Sequence, residues 1–219
     1  MQVRDSLRSI DLERLLLAPI LSALLVVSSL SLFAQRDGSQ GTLVATLVLV
    51  YRILLVLFYV LAVVLLLVRR DATAKSRGVL PRVAAYGGTF APFLLSFAAS
   101  SRVTAGFALA GVCIQVLGMA FALYSLAVLR RSFGVAPQVR GLVSTGPYRY
   151  IRHPLYVGEF VSLVGAILVG PSWQKVAILV VIAGIQVYRA IQEERLLGAH
   201  DPGYADYVTD TKRFVPGLF

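Results

Sequence analysis

The sequence predicts an all-α fold, a polytopic transmembrane helical bundle of about six spans whose C-terminal half builds a polar pocket. Three observations lead to it. The 219-residue chain is 58% hydrophobic and only 15% charged, against about 25% charged in soluble domains, so lipid is the solvent for much of it. Apolar runs recur at about the 20-residue length that a helix needs to cross a bilayer. Lys and Arg alternate between few and many from one connection to the next.

In chain order the apolar runs are residues 15–33, 43–68, 83–99, 103–129, 155–169 and 173–188. Arg4, Arg8 and Arg14 precede the first, which is longer than the roughly 7–15 residues of a signal-peptide core and reads as a retained span. The last two runs are short and are joined by Gly170-Pro171-Ser172, a turn signal that predicts a tight helical hairpin. From the N-terminus onward the connections carry 3, 1, 5, 1, 5, 1 and 4 Lys or Arg. That alternation predicts six spans with both termini in the cytoplasm; five spans would break it. The remaining cation, Arg52, lies inside the second run, about three turns from its outer end, and reads as a snorkelling side chain.

The formal net charge of +10 follows from the same positive-inside bias. The cations are dispersed between apolar runs and form no nucleic-acid motif, so the expected partner is the bilayer and not nucleic acid. The single cysteine, Cys113, excludes an internal disulfide and reads as a small packing residue. No metal site is expected, and the oligomeric state is not legible.

Two polar clusters interrupt this pattern. The first is Gly146-Pro147-Tyr148-Arg149-Tyr150-Ile151-Arg152-His153-Pro154-Leu155-Tyr156-Val157-Gly158. Proline disfavours helix at the residue before it and suits the first helical position, so His153 should cap the fifth helix. The free amides and dipole of that helix start favour an anion. Arg149 and Arg152 add charge, and Tyr148, Tyr150 and Tyr156 add flat amphipathic surface. The second cluster is Arg189-Ala190-Ile191-Gln192-Glu193-Glu194. Arg189 and Glu193 share a helical face, with Gln186 one turn before, and Glu194 points about 100° away from Glu193. A short hairpin brings its ends together, so both clusters should border one pocket. The aromatic tail around Tyr204 and Tyr207 is placed to fold back over it.

Arg152-His153-Pro154-Leu155-Tyr156-Val157-Gly158, then Glu193-Glu194, Tyr204-x-x-Tyr207 and Arg213-x-x-Pro216-Gly217, resemble the isoprenylcysteine carboxyl methyltransferase family over roughly residues 117–219. The resemblance implies an integral-membrane methyltransferase that uses S-adenosylmethionine, with residues 1–102 as N-terminal transmembrane helices and 103–219 as the catalytic region with a C-terminal cytoplasmic lid. It implies a cofactor site at Gln138, Leu142, Val143, Gly146, Tyr148, Arg152, His153, Pro154, Tyr156, Glu194 and Tyr207, and a catalytic centre at Arg189 and Glu193. The acceptor it implies is lipophilic, a carboxylate such as an isoprenylcysteine-like or prenylated group, oriented by Arg189, with Glu193 holding Arg189 in place. The stretch His200-Asp201-Pro202-Gly203 departs from the aromatic-glycine pair usual before the first tail tyrosine. Two other readings stand beside this one: an NADPH-dependent membrane reductase of sterol-reductase type, and a non-enzymatic scaffold or transporter. The chain shows neither a Rossmann-like glycine loop nor the internal repeats of a transporter.

Overall fold

The computed structural model describes residues 12–31, 42–76 and 78–217. Helix α1 (Leu12–Ser31) and helix α2 (Thr42–Val68) lead to a two-residue strand, β1 (Ala74–Lys75), and helix α3 (Val79–Phe90), which tightens into a 3₁₀ turn over Ala91–Ser96. Helix α4 (Ala105–Leu129) ends in a 3₁₀ turn, Arg130–Ser132. Strand β2 (Gln138–Val139) and a further 3₁₀ turn, Gly146–Arg149, precede α5 (Pro154–Val169), α6 (Trp173–His200) and α7 (Tyr204–Asp210). Arg4, Arg8, Arg36 and Arg77, which entered the charge alternation, lie outside the described residues.

Among the described residues, three helices are long and apolar enough to cross a membrane: α2, α4 with its extension to Ser132, and α6. Leu17–Leu30 within α1, and α5, are apolar but shorter. The outward face of α2 carries exposed Leu49, Ile53, Leu57, Val60, Val64 and Leu67, a surface that only lipid would leave uncovered. The chain is an integral membrane protein. The expected span at 83–99 is interrupted. Pro92 lacks the amide hydrogen that an α-helix would use, and its ring blocks the carbonyl one turn back, so the helix gives way to a 3₁₀ turn there. Helix α6 runs twelve residues beyond the expected end at 188, carrying Arg189, Glu193 and Glu194 on its last turns.

The tightest packing joins α4 and α5, which run antiparallel. Gly111, Gly118 and Ala122 of α4 meet Gly165, Ser162 and Gly158 of α5, and a methyl group on Gly111 would fall 2.9 Å from the Gly165 carbonyl oxygen. Small residues spaced in this way let membrane helices approach backbone to backbone. Helix α2 packs on α1 and α4, and α6 packs on α3 and its 3₁₀ turn. Leu17, Leu21, Leu66, Ala122 and Leu126 are buried where α1, α2 and α4 meet.

At one end of the bundle, β1 and β2 form an antiparallel ribbon in register Ala74↔Val139 and Lys75↔Gln138. It ties the connection after α2 to the connection after α4, helped by the Arg70 amide donating to the Arg131 carbonyl at 2.9 Å. This ribbon has no counterpart in the sequence reading; two residues are too few to leave a periodic signal. At the opposite end the Ser101 amide donates to the Pro171 carbonyl at 3.1 Å, and Lys175 Nζ donates to Ser100 Oγ and the Gly170 carbonyl at 2.6 and 2.7 Å.

Candidate active site

Pro154 is the first residue of α5 and His153 is its N-cap residue, as the constraints on proline require. The His153 ring is buried, 7% exposed. Its Nε2 lies 3.0 Å from Glu194 Oε1, and its ring stacks on Tyr156 with centroids 5.4 Å apart. Glu194 comes from the far end of α6 and gathers two further cations. Arg152 Nε donates to Oε1 at 3.0 Å. Arg213 donates through Nε to Oε1 at 2.9 Å and through Nη2 to Oε2 at 2.8 Å. Both carboxylate oxygens therefore already accept from protein donors. The sequence reading saw Glu194 as a ligand group; in the structure it borders the cavity and also ties α5, α6 and the tail together.

The tail is held by backbone as well. The Arg152 amide donates to the Lys212 carbonyl at 2.8 Å and the His153 amide to the Arg213 carbonyl at 3.1 Å. Arg152 Nη1 donates to the Thr211 carbonyl at 2.6 Å. Helix α7 is folded back so that the Tyr207 hydroxyl donates to the Tyr148 carbonyl at 2.7 Å. The departure at His200-Asp201-Pro202-Gly203 has a structural role. Asp201 Oδ2 accepts from the Leu142 amide at 3.2 Å and Oδ1 from the Gly203 amide at 3.1 Å, so the turn into α7 is pinned to the loop after β2. Burial raises the phenols of Tyr148 and Tyr204, and takes that of Tyr207 up to about 12. All three stay neutral near pH 7, and the Tyr207 hydroxyl acts as a donor.

Arg189 sits one layer deeper, 5% exposed. Its expected partner, Glu193, does not hold it directly. Arg189 Nη1 donates to Gln186 Oε1 at 3.0 Å and Nη2 to the Val135 carbonyl at 3.1 Å, and Cζ lies 4.9 Å from the centroid of the Tyr156 ring. Glu193 instead accepts from the Tyr156 hydroxyl, with His153 Nδ1 3.9 Å away. The tyrosine stands between the two residues that sequence spacing had paired. Arg189 Nε is buried with no hydrogen-bond partner among the described residues, as are the hydroxyls of Tyr148 and Tyr204.

These groups line one cavity of about 600 Å³. Gln138, Leu142, Val143, Tyr148, Arg152, His153, Tyr156, Arg189, Glu193, Glu194 and Tyr207 all border it. Gly146 and Pro154 do not. Gly146 borders a separate groove beside Tyr124 and Val128, with a φ of 58° that favours glycine. Pro154 is buried at the start of α5. Away from the loops the cavity continues between α2, α3, α4, α5 and α6, past Leu55, Phe58, Met119, Leu163 and Ile182. Arg52, expected to snorkel outward, also borders the cavity. Two further lining residues escaped the sequence reading. Glu159 accepts a hydrogen bond from Gln186 Nε2 at 2.9 Å, and Gln115 borders the cavity from α4. An acid inside an apolar run was the available signal, since an ionisable side chain at that depth is costly without a role.

Residues 103–200 match the family model of the phospholipid methyltransferases. Two curated relatives match over shorter stretches. The nickel-cobalt-cadmium resistance protein NccN of Alcaligenes xylosoxydans xylosoxydans is 42% identical over 79 residues, 35% of this chain and 37% of that protein. The cobalt-zinc-cadmium resistance protein CzcN of Cupriavidus metallidurans is 33% identical over 78 residues, 35% of this chain and 36% of that protein. The shared stretch thus spans little more than a third of either relative. Among solved structures, the eukaryotic intramembrane Ras methyltransferase, isoprenylcysteine carboxyl methyltransferase, superposes with a TM-score of 0.48 at 18% identity, over 78% of this chain and 68% of that one. The matched segment, residues 103–200, carries α4, α5, α6 and the side chains gathered between them, and through it the chain is similar to the phospholipid methyltransferases.

Proposed function

We propose that this protein transfers a methyl group from S-adenosylmethionine to a lipophilic acceptor, at the end of the bundle formed by residues 69–76, 130–153 and the tail. The observation that carries the reading is the single cavity. It is polar and loop-lined at one end, apolar and helix-lined at the other, with Arg189 and Glu193 on its wall. A sulfonium donor with a charged amino-acid part and an aromatic base fits the polar end. Arg152 and Arg213 converge there on Glu194 beside the start of α5, so cationic donors and a helix N-terminus are at hand for the donor's carboxylate. The buried, unpartnered hydroxyls of Tyr148 and Tyr204 are donors awaiting an acceptor atom. When bound, S-adenosylmethionine supplies an activated methyl group for in-line displacement.

The protein's own part is alignment and exclusion of water. Helix α7, with Tyr204 and Tyr207, covers the polar end. The apolar end admits a hydrocarbon chain between helices. Arg189 Nε donates to the acceptor atom. A carboxylate end, as the resemblance implies, would meet Nε and Nη2 together. Catalysis lies in residues 103–219, and the helices before it complete the cavity wall. The positive-inside rule places the site and both termini in the cytoplasm.

The match to a methyltransferase family disfavours the reductase, scaffold and transporter readings. The names of the two curated relatives speak of metal resistance. Among the described residues no group of three or more His, Cys, Asp or Glu is placed to hold a metal ion, so the methyltransferase segment carries the reading. The test is calorimetry on detergent-solubilised protein with S-adenosylhomocysteine and NADPH. The reading requires the first to bind and the second not to; the reverse overturns it.

A further inference from the structure

Glu159 is an acid on the second turn of a helix that is apolar from Val157 to Val169 apart from this residue and Ser162. Burying a carboxylate at membrane depth is costly unless it has partners and a use. Among the described residues its hydrogen-bond partner is the Gln186 amide, at 2.9 Å from Oε2. Gln186 in turn accepts from Arg189 Nη1, so Glu159, Gln186 and Arg189 form one chain along the cavity wall. On its other side Arg189 lies over the ring of Tyr156, whose hydroxyl donates to Glu193. One guanidinium is thus flanked by two carboxylates, each one residue removed. Arg189 still keeps a buried Nε without a partner.

That arrangement bears on which acceptor can enter. A carboxylate acceptor at Arg189 Nε would add a third acidic group around a guanidinium that two carboxylates already flank. A neutral nucleophile that carries its own proton fits better. Its lone pair accepts from Arg189 Nε, and its proton faces a carboxylate. Resting on the S-adenosylmethionine reading, we propose that Glu159 is the catalytic base of this site and that the acceptor is a lipophilic phenol or thiol. The acceptor oxygen or sulfur forms its bond to the methyl carbon as the methyl–sulfur bond of the donor breaks. The bonding pair stays on the donor sulfur, which becomes a neutral sulfide. The acceptor's O–H or S–H proton passes to Glu159. The products are a methyl ether or thioether, S-adenosylhomocysteine and a protonated Glu159. Arg189 Nε stabilises the charge that develops on the acceptor atom.

The experiment uses the full chain in detergent or nanodiscs. The probes are a 4-alkylphenol, a 1-alkanethiol and a fatty acid of matched chain length. Binding to protein loaded with S-adenosylhomocysteine is read by competition with a fluorescent lipid, and methyl transfer is read separately. Phenol and thiol should bind about tenfold or more tightly than the fatty acid, and they should be the acceptors that are methylated. Glu159→Gln keeps the hydrogen bond from Gln186 and should leave S-adenosylhomocysteine affinity and phenol binding in place. Turnover should fall by ~100-fold or more, the usual contribution of a positioned base. A fatty acid that binds and is methylated as well as the phenol overturns the proposal, with no variant needed. So does a Glu159→Gln protein that methylates the phenol at the wild-type rate. If wild-type protein fails to bind S-adenosylhomocysteine at all, the underlying reading falls and the base falls with it.

Discussion

Glu194 shows how a residue legible as important in the sequence acquires partners in three dimensions that its spacing did not announce. Its carboxylate is met by Arg152, His153 and Arg213, from the start of α5 and from the tail. Glu194→Ala would leave two guanidinium groups and an imidazole close together without their common counter-ion, and breaking a buried pair in this way costs about 3–5 kcal/mol. The expected result is a lower unfolding temperature in detergent together with protease cleavage within residues 201–217. A variant as stable and as protected as wild type would show that the tail is held elsewhere. His153 belongs to the same knot, and His153→Ala should weaken S-adenosylhomocysteine binding in calorimetry more than it lowers the unfolding temperature. Arg189 is a separate case. Arg189→Lys keeps the charge but loses the planar set of donors that meets Gln186, Val135 and the acceptor. Turnover should fall roughly 30- to 1,000-fold, about 2–4 kcal/mol of transition-state stabilisation, with cofactor affinity little changed. Equal losses in turnover and affinity would place Arg189 in the cofactor site instead.

Among the helices, the contact between α4 and α5 positions everything else, because α5 carries Tyr156 and Glu159 and is capped by His153, while α4 supplies the wall behind them. Gly118 faces the backbone of Ser162 and Gly158, so no side chain fits without parting the helices. Gly118→Val is expected to cost at least ~1–3 kcal/mol through overpacking and to abolish cofactor binding by displacing His153. Gly184 of α6 has nothing within 4 Å of where a Cβ would sit, and Gly184→Ala should be neutral or stabilising, since alanine is the better helix former. Thermal unfolding of the two proteins side by side checks the pair. Equal behaviour would mean that α4 and α5 tolerate a wider separation.

For the molecule as a whole, the two ends of the bundle differ in kind. The ribbon, the 130–153 connection and the tail gather at one end, and the Ser101–Pro171 and Lys175–Ser100 contacts close the other. Cysteines introduced singly as Ser100→Cys and Thr209→Cys should therefore label from opposite sides of sealed vesicles with a membrane-impermeant maleimide. Thr209 should be the cytoplasmic one, because its end carries Arg70, Arg130, Arg131 and Arg149. Labelling of both from the same side would refute a bundle that spans the membrane in this arrangement.

What the sequence determined by itself is what depends on local composition and short spacing. Lipid as the solvent follows from charge scarcity, and the helix start at Pro154 follows from the geometry of proline. The two clusters at 146–158 and 189–194 stand out as polar residues in an apolar background, and both border one cavity. The tertiary structure decided what depends on residues far apart in the chain. Arg189 and Glu193 are four apart on one helix, which predicts a pair. The ring of Tyr156, 33 and 37 positions earlier, lies under the guanidinium and its hydroxyl reaches the carboxylate, so the contact runs through it. Glu159 drew no reading from the sequence, and its partner Gln186 comes from α6, 27 positions later. The run at 83–99 is apolar enough for a span, and Pro92 breaks its helix. Apolar composition reports the solvent that a segment prefers; backbone hydrogen bonding and the neighbours that packing supplies determine its shape and its partners.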